Sequence, residues 1–306
     1  MSSSSPPTAA ASSGRGALRT SRWLSLLYVS PALVLLTLFA FYPTFSTLWD
    51  SVFRVGMPAK PAHFVGLANY RSLFDDPTFL QVLRNNLLYA AVTVPLSTFI
   101  ALGLALWANA ALPGRAFLRL AYFTPTLLPM IAAANLWLYF YTPDLGLFDR
   151  IGAWFGLPSI NWLGEPGTAL WSVIAVTVWK ESGFFMLFYL AALQSIAPDL
   201  KEAAAIEGAG RWYYMRRIAW PLLMPTTLFV VINATINSIT LIDHLFVLTK
   251  GGPDNTSKLL LYWIWENAFA YFDESTAAAI TTLVLLALAV VGVVQFIIAE
   301  RRTHYQ

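Results

Sequence analysis

Residues 198–225, PDLKEAAAIEGAGRWYYMRRIAWPLLMP, form a polar and basic interruption between two long apolar runs. Pro198 suits the first turn of a helix, where its missing N–H is not needed, and the run 202–205 consists of strong helix formers. Gly208 is a residue type that commonly ends a helix. A second helix, which contains three arginines, is expected to continue to Pro221. The stretch therefore predicts a helix–turn–helix at one face of a membrane, and its basic residues favour the cytoplasmic face.

The composition of the whole chain indicates a protein that is embedded in lipid. Of its 306 residues, 58% are hydrophobic and only 11% are charged, whereas soluble domains contain about 25% charged residues. The formal net charge is only +3, so the composition does not indicate a nucleic-acid-binding surface. Because there is no cysteine, a disulfide, a thiol nucleophile and a thiolate metal site are excluded, and three scattered histidines argue against a metal site of histidines.

Six apolar runs are long enough to cross a bilayer as helices. We expect these helices at residues 24–49, 86–110, 118–141, 169–193, 221–248 and 276–298. The first run is longer than the apolar part of a signal peptide and lacks a cleavage-type exit, so it is expected to remain as a membrane helix. The predicted fold class is therefore an all-α integral membrane protein with six transmembrane helices.

The expected domain organisation is a single membrane domain with two short tails. Residues 1–22 begin with a run of Ser, Pro, Ala and Gly that has no apolar periodicity, which predicts a disordered cytoplasmic tail. Residues 23–302 are expected to form the transmembrane domain, with the 198–220 loop inside it. Residues 303–306 are expected to be a short C-terminal tail.

The basic residues predict the orientation of the chain in the membrane. If both termini lie on one side, the inner segments contain eleven Lys and Arg residues against four Asp and Glu residues, and the outer loops contain seven Lys and Arg residues. Positive residues accumulate in short cytoplasmic loops. Both termini and the 198–220 loop are therefore expected on the cytoplasmic side.

The opening stretch resembles the EAA loop of permease subunits of ATP-binding-cassette (ABC) importers. The similarity lies in Glu202, Ala203 and Ala204, then Gly208, and then Ile218 and Pro221, whereas Glu207 and Trp220 replace the Asp and Leu that are usual in sugar-type permeases. FVGLANYRSLF at 64–74 and TKGGP at 249–253 resemble two further signatures of carbohydrate-uptake permeases. The chain is thus similar to the first of the two unlike permeases of such importers, which have the type I permease fold.

The resemblance implies a role for the 198–220 loop, which we name the coupling loop. In the family, coupling helices sit in a groove of a partner ATPase. The residues carried over to this role are Glu202, Ala203, Ala204, Glu207, Gly208, Ile218 and Pro221. ATP binding would close the ATPase dimer, move the coupling helices together and switch the pore from inward- to outward-facing.

The resemblance also implies the partners of the chain. They are a second, unlike permease, a dimer of ATPase subunits and an extracytoplasmic substrate-binding protein, assembled in the bacterial cytoplasmic (inner) membrane. The chain contains no G-x-x-x-x-G-K-[ST] run, so ATP and magnesium are expected on the partner ATPase. We therefore expect a transport subunit without a cofactor or an enzymatic activity of its own.

Two segments bear on the substrate. YLAALQSIAPDLKEAAAIEGAG at 189–210 and VVQFIIAERRTHYQ at 293–306 resemble permeases of sn-glycerol-3-phosphate importers. This resemblance implies that the substrate is glycerol 3-phosphate or a glycerophosphodiester. A neutral disaccharide or oligosaccharide of the maltose or trehalose type is the alternative, because the coupling loop is shared across the family and carries no substrate information.

Polar residues inside the expected membrane helices are candidates for the substrate path, because their burial in lipid is costly. Asn233, Asn237, Thr240 and His244 are spaced four, three and four residues apart, which places them on one face of a continuous helix. They either line a hydrogen-bonding path for a sugar or polyol or join this helix to its neighbours. Lys180 either attracts an anionic substrate or has a structural partner. No metal site is expected.

Two other classes of function remain open from the residues alone. A membrane enzyme would need His, Asp or Glu residues gathered at an interface, and the three histidines are far apart in the sequence. An ion-coupled secondary carrier would need buried acids, and Glu181 is the one acid clearly placed in the middle of an expected span.

Overall fold

The structure is a computed structural model that describes residues 22–54, 62–110 and 115–302. The described residues form helices and one small hairpin, in agreement with the predicted all-α class. The predicted tails at 1–22 and 303–306 lie outside the described residues, except for Arg22, which begins the first helix.

The chain falls into two units, Met1–Ser46 and Thr47–Gln306. The first unit contains α1 (Arg22–Leu36), a π-helical turn (Thr37–Phe41) and the beginning of α2 (Tyr42–Asp50). The helical segment Leu27–Asp50 is 24 residues long and has a mean hydropathy of 1.6. A helix of this kind is suited to lipid or to the surface of another membrane subunit.

The second unit begins with the end of α2, which is followed by a short antiparallel hairpin of β1 (Phe53–Arg54) and β2 (His63–Phe64) and by α3 (Ala68–Asp75). The side-chain amide of Asn69 donates to the carbonyls of Ser51 (2.8 Å) and Phe53 (2.9 Å). This asparagine belongs to the FVGLANYRSLF stretch, so one residue of that signature fastens α3 to the hairpin.

The first long helix of this unit is α4 (Pro77–Asn109). Asp76 caps it by accepting a hydrogen bond from the Thr78 N–H (2.8 Å), and proline occupies the first turn. The expected start at residue 86 was wrong by nine residues, because the polar residues near the beginning of this helix favoured a loop assignment.

The expected helix at 118–141 is broken. α5 (Arg115–Leu127) and α6 (Met130–Phe140) meet at an angle of 108°. Pro129 lies between them with φ −54° and ψ 147°, which is not helical, and it has no N–H to continue the helical hydrogen bonds. The range predicted as the third span is therefore found as two helices that meet at a proline.

The remaining helices follow in chain order and include two further π-helical turns. They are α7 (Leu147–Trp154), α8 (Ala169–Ser195), α9 (Pro198–Ile206), α10 (Arg211–Tyr214), the π-turn Met215–Ala219, α11 (Trp220–Thr240), α12 (Asp243–Leu248), α13 (Leu260–Trp265), the π-turn Glu266–Ala270 and α14 (Glu274–Arg302). Among the described residues, five helical segments are long and apolar enough to cross a membrane. The number is six if the bent pair α5–α6 is one span, as predicted.

The core of the second unit is built around α4 and α8, which share the largest helix–helix interface. Ala101, Ala105 and Ala108 are fully buried on α4, and their small side chains allow α8 to approach closely. Phe185 and Met186 of α8 fill the space beside them. Two further clusters, one around α12 and one around α13, complete the packing toward the other end of these helices.

Candidate functional site

The first arm of the coupling loop, α9, ends in a cap centred on a glycine. Gly208 has a φ of +77°, in the left-handed region. The N–H of Ala209 donates to the carbonyl of Ala204 (2.9 Å), and the N–H of Gly208 donates to the carbonyl of Ala205 (3.1 Å), which is the pattern of a Schellman motif. The glycine therefore ends this helix as predicted, and a side chain there would meet open space but a strained backbone.

The second arm of the coupling loop is continuous with the next membrane helix. α10, the π-turn Met215–Ala219 and α11 follow one another without a break, so Pro221 lies in the first turn of α11. Ala219 anchors this arm because it is fully buried. α10 and α11 are therefore joined by helical backbone without a loop between them.

The outer surface of the coupling loop is accessible. Of the seven residues assigned to ATPase coupling, Ala204 is buried, Ile218 is half-buried and the others are exposed. The exposed ones are Glu202, Ala203, Glu207, Gly208 and Pro221. Two large apolar side chains beside them are also exposed, Ile206 to 87% and Trp212 to 75%. Exposed apolar groups within a polar rim are typical of a protein interaction surface.

The four candidate residues of the substrate path do not lie on one continuous helix. α11 ends at Thr240, Leu241 is extended (ψ 107°), and α12 begins at Asp243. Asn233, Asn237 and Thr240 therefore share one helix, whereas His244 lies beyond the break. The prediction of a single face was wrong for His244, because the spacing argument assumes an unbroken helix.

Asn237 makes a contact that distinguishes it from the other two path candidates on α11. The side chains of Asn233 and Thr240 donate to carbonyls of their own helix, at Phe229 (2.8 Å) and Ile236 (3.0 Å). Asn237 instead donates from Nδ2 to Oε1 of Glu181 on α8 (2.9 Å). Glu181, only 6% exposed, was not among the predicted site residues, and no local pattern relates positions 56 residues apart in the sequence.

His244 belongs to a buried polar cluster. It is completely buried, and its Nε2 lies 3.3 Å from both the Tyr89 hydroxyl and the Thr177 hydroxyl, which are themselves 2.7 Å apart. Nδ1 of His244 has no hydrogen-bond partner among the described residues. The cluster joins α4, α8 and α12, so the structure places His244 in the protein core, beyond the end of the helix that carries the other path candidates.

Lys180 contacts the break between α5 and α6. Its ammonium group donates to the carbonyls of Pro125 (3.1 Å) and Leu128. Carbonyls at the end of a helix have no partner within the helix, and a positive charge is favourable beside them. Of the two alternatives for Lys180, this geometry corresponds to the structural one.

Gly183 allows α5 to pack directly on α8. A Cβ atom at this position would lie 2.3 Å from the carbonyl oxygen of Tyr122 and 3.3 Å from the Thr126 side chain. Lys180 and Gly183 are three residues apart and therefore hold the same end of α5. Asn135 on α6, by contrast, donates to the carbonyl of Ile131 in its own helix (2.9 Å).

The loop that contains the TKGGP sequence is fixed to the beginning of α4. Asn85 donates to the carbonyls of Asn255 (2.7 Å) and Lys258 (3.1 Å), and the side-chain oxygen of Asn86 accepts from the N–H of Leu260 (3.1 Å). Lys258 also pairs with Glu266 at 2.6 Å, although both side chains are largely buried. These contacts explain why the polar residues near the start of α4 can belong to a helix.

The loop between α6 and α8 is organised around one carboxylate. Asp149 accepts hydrogen bonds from the Ser159 hydroxyl, from the N–H of Asp144 (2.8 Å) and from the indole N–H of Trp162 (3.1 Å). These donors favour the charged form, with Ser159 as the largest contribution, and they lower the pKa of Asp149 below its ordinary value of 3.8. The loop is therefore held by an ionised carboxylate at neutral pH.

The coupling loop and the α8–α14 core lie within a segment that matches a known family. The family model for the "Binding-protein-dependent transport system inner membrane component" matches residues 94–304. The chain belongs to this family. It is an ABC transporter permease, a membrane-spanning transport component and not an enzyme.

Three relatives illustrate the range of transport systems in which similar chains occur. The chain is 32% identical over 279 residues to the sulfoquinovosyl glycerol permease SmoG of Agrobacterium fabrum, covering 89% of this chain and 90% of the relative. It is 33% identical to the sn-glycerol-3-phosphate permease UgpA of Yersinia pestis, with coverage of 93% and 96%. It is 34% identical to the trehalose/maltose permease MalF of Thermococcus litoralis, with coverage of 88% and 92%. The chain is therefore a permease of the sugar and glycerol-phosphate type.

Solved structures confirm the fold. A bacterial ABC transporter involved in alginate import superposes with a TM-score of 0.82 at 21% identity, covering 92% of this chain and 96% of that chain. A structure of a bacterial alginate ABC transporter with an alginate-pentasaccharide-bound periplasmic protein gives a TM-score of 0.78 at 22% identity, with coverage of 91% and 93%. The predicted type I permease fold is therefore confirmed.

Proposed function

We propose that this permease forms half of the translocation path of an importer that is driven through its coupling loop. The observation that carries the proposal is the continuity of α10 with α11, because α11 contains Asn233, Asn237 and Thr240. Movement of the exposed loop by an ATPase would be transmitted to these polar side chains without an intervening flexible segment. The coupling residues on α9 then serve as the docking surface.

The proposed assembly contains a second, unlike permease, an ATPase dimer that binds ATP and magnesium, and an extracytoplasmic binding protein. The exposed apolar side chains of Ile206 and Trp212 support a docked ATPase. The basic residues of the coupling loop support a cytoplasmic position for this loop and for both termini, in a bacterial cytoplasmic membrane.

The first candidate for the substrate is glycerol 3-phosphate or a glycerophosphodiester. The two segments at 189–210 and 293–306 and the 33% identity to the Yersinia pestis permease support this choice. Amide and hydroxyl side chains can donate to and accept from the hydroxyl groups of a polyol. Asn233 and Thr240 supply such groups on α11.

A neutral disaccharide is the second candidate, and one observation favours it. The ammonium group of Lys180 is directed to the carbonyls of Pro125 and Leu128, so it does not supply a free positive charge for a phosphate. The path candidates on α11 are all uncharged. The similarity to a trehalose/maltose permease agrees with this alternative.

The substrate can be tested by the ATPase activity of the reconstituted complex. The complex is supplied with its binding protein, which is preincubated with glycerol 3-phosphate, glycerophosphocholine or maltose in turn. Stimulation by the two phosphorylated ligands alone would support the first candidate. Stimulation by maltose alone would overturn it and leave the permease assignment intact.

The coupling role needs a separate test with matched glycine variants. Gly208 and Gly156 both have positive φ values, +77° and +72°, and both face open space. Gly208→Arg should abolish the stimulated ATPase activity and weaken ATPase association, whereas Gly156→Arg, in the loop between α6 and α8, should leave both unchanged. Equal effects of the two variants would overturn the assignment of the coupling loop.

A further inference from the structure

A groove runs along α8 between α4 and α5, within the membrane-spanning part of the chain. Its cavity has a volume of about 600 Å³. Leu96 and Ile100 of α4 and Trp179 of α8 lie along it, and most of its lining side chains are aliphatic or aromatic. A groove with so few hydrogen-bonding groups is unsuited to a sugar and is suited to a hydrocarbon chain.

One end of this groove adjoins a cavity that is more polar than the groove itself. A second cavity, of about 500 Å³, is lined by Gln81, Arg84 and Thr256 among others, near the beginnings of α4 and α8. Trp171 lines both cavities, and Leu88 in the polar cavity is one helical turn before Val92 in the apolar groove. The two cavities are therefore adjoining parts of one elongated surface.

Arg84 gives this surface a positive end. Its side chain is exposed and makes no hydrogen bond or ion pair with any residue in the described part of the chain. A guanidinium group has five donors in a planar arrangement that matches a phosphate group. An unpaired arginine at the end of an apolar groove is complementary to an amphipathic anion, and it has no evident role in packing.

We propose that this groove binds one anionic phospholipid, with its headgroup phosphate at Arg84 and an acyl chain along α8. From Arg84 to Ile100 the helix rises about 24 Å, at about 1.5 Å per residue. One leaflet comprises about 15 Å of hydrocarbon and several ångströms of headgroup, so a single lipid fits this length. The polar end lies at the opposite end of α8 from the coupling loop, so the lipid belongs to the leaflet away from the ATPase.

The inner part of the groove gives the lipid a structural role. Pro125 and Gly183 line it, and these residues lie where α5 packs on α8 beside the helix break. An acyl chain in the groove would cover this contact and support the bent pair α5–α6. A soluble phosphate or a polar substrate would not fill the apolar part of the groove. A helix of the second permease would fill it but would leave the guanidinium group of Arg84 without an anionic partner.

Quenching of tryptophan fluorescence by brominated lipids tests this proposal on the complete complex. The fluorescence of Trp171 is obtained by subtracting the fluorescence of a Trp171→Phe complex from that of the wild-type complex. Half of the Trp171 fluorescence should be quenched at a mole fraction of brominated phosphatidylglycerol that is about fivefold lower than that of brominated phosphatidylcholine. A preference of this size is expected because one arginine attracts an anionic lipid by about 1 kcal/mol. Arg84→Gln should abolish the preference, whereas Arg71→Gln, at an exposed arginine that lines neither cavity, should retain it.

Four results would overturn the proposal. They are equal quenching by the two lipids, an equal loss of preference in Arg71→Gln, no quenching by either lipid because a subunit covers Trp171, and relief of quenching by free glycerol 3-phosphate.

A second measurement needs no variant. Mass spectrometry of lipids extracted from the washed wild-type complex should show phosphatidylglycerol enriched over the bulk membrane, and an unchanged ratio would also overturn the proposal.

Discussion

The side-chain amide of Asn237 donates to the carboxyl group of Glu181 over 2.9 Å and thereby joins α11 to α8 within the membrane-spanning region. These are the two helices that connect to the coupling loop, since α8 precedes α9 and α11 follows α10. The bond therefore ties together the two helices through which movement of the loop would enter the membrane.

Asn237→Ala is expected to destabilise the complex by about 1–3 kcal/mol, because it leaves the buried Glu181 without this donor. Thermal unfolding of the purified complex, followed by tryptophan fluorescence, measures the change. Asn233→Ala is the matched control, because the Asn233 amide donates to a carbonyl of its own helix, and this variant should have a smaller effect. Equal destabilisation by the two variants would contradict a specific role for the α8–α11 bond.

Lys180→Met should destabilise the bent pair α5–α6 by about 1–3 kcal/mol, because two carbonyls lose their donor. The exposed Lys250 provides a control, and Lys250→Met should leave the thermal transition unchanged. If Lys180→Met kept full stability but lost stimulation by phosphorylated substrates, Lys180 would be a substrate-binding residue and not a cap of the helix break.

Gly183→Ala should also separate α5 from α8, because the added methyl group would overlap the carbonyl oxygen of Tyr122. Overpacking of this kind costs about 1–3 kcal/mol. Gly103→Ala, on α4, meets no atom within 4 Å and should stabilise its helix slightly. Both variants add one methyl group to a membrane helix. A similar loss of thermal stability in Gly183→Ala and Gly103→Ala would contradict the close packing of α5 on α8.

The Asp149 site predicts how the loop between α6 and α8 responds to pH. Because the folded pKa is lowered, the stabilisation is complete above the unfolded pKa of about 4 and is lost as the pH falls through the lower folded value. Hydrogen exchange at the amide of Asp144, corrected for intrinsic rates, should therefore be constant from about pH 7 to about pH 5. Asp149→Asn should weaken protection throughout this range, and a decline of wild-type protection above pH 5 would contradict the assignment.

Local signals in the sequence predict several elements correctly. The helix expected at 169–193 is found at Ala169–Ser195, and Gly208 ends α9. Both features depend on nearby residues alone, since apolar length defines a span and a glycine accommodates a positive φ.

Helix breaks and paired side chains could not be predicted in the same way. The break between α11 and α12 falls at Leu241 and Ile242. Both residues are apolar and neither is a glycine or a proline, so the sequence indicates a continuous helix at this point. The partner of Asn237 is 56 residues away in the sequence, and only the packing of α8 against α11 brings the two side chains together.

Cross-linking of the coupling loop tests most directly whether this loop contacts an ATPase. The chain contains no cysteine, so one introduced cysteine is its unique thiol. Ile206→Cys, at a position that is 87% exposed on α9, and Trp154→Cys, at a position that is 83% exposed on α7, can each be labelled with a maleimide–benzophenone and irradiated in the assembled complex. Cross-linking of the ATPase subunit to position 206 and not to position 154 is the expected result. Absence of an ATPase cross-link at position 206, or equal cross-linking at position 154, would contradict the assignment of residues 198–220 as the coupling loop.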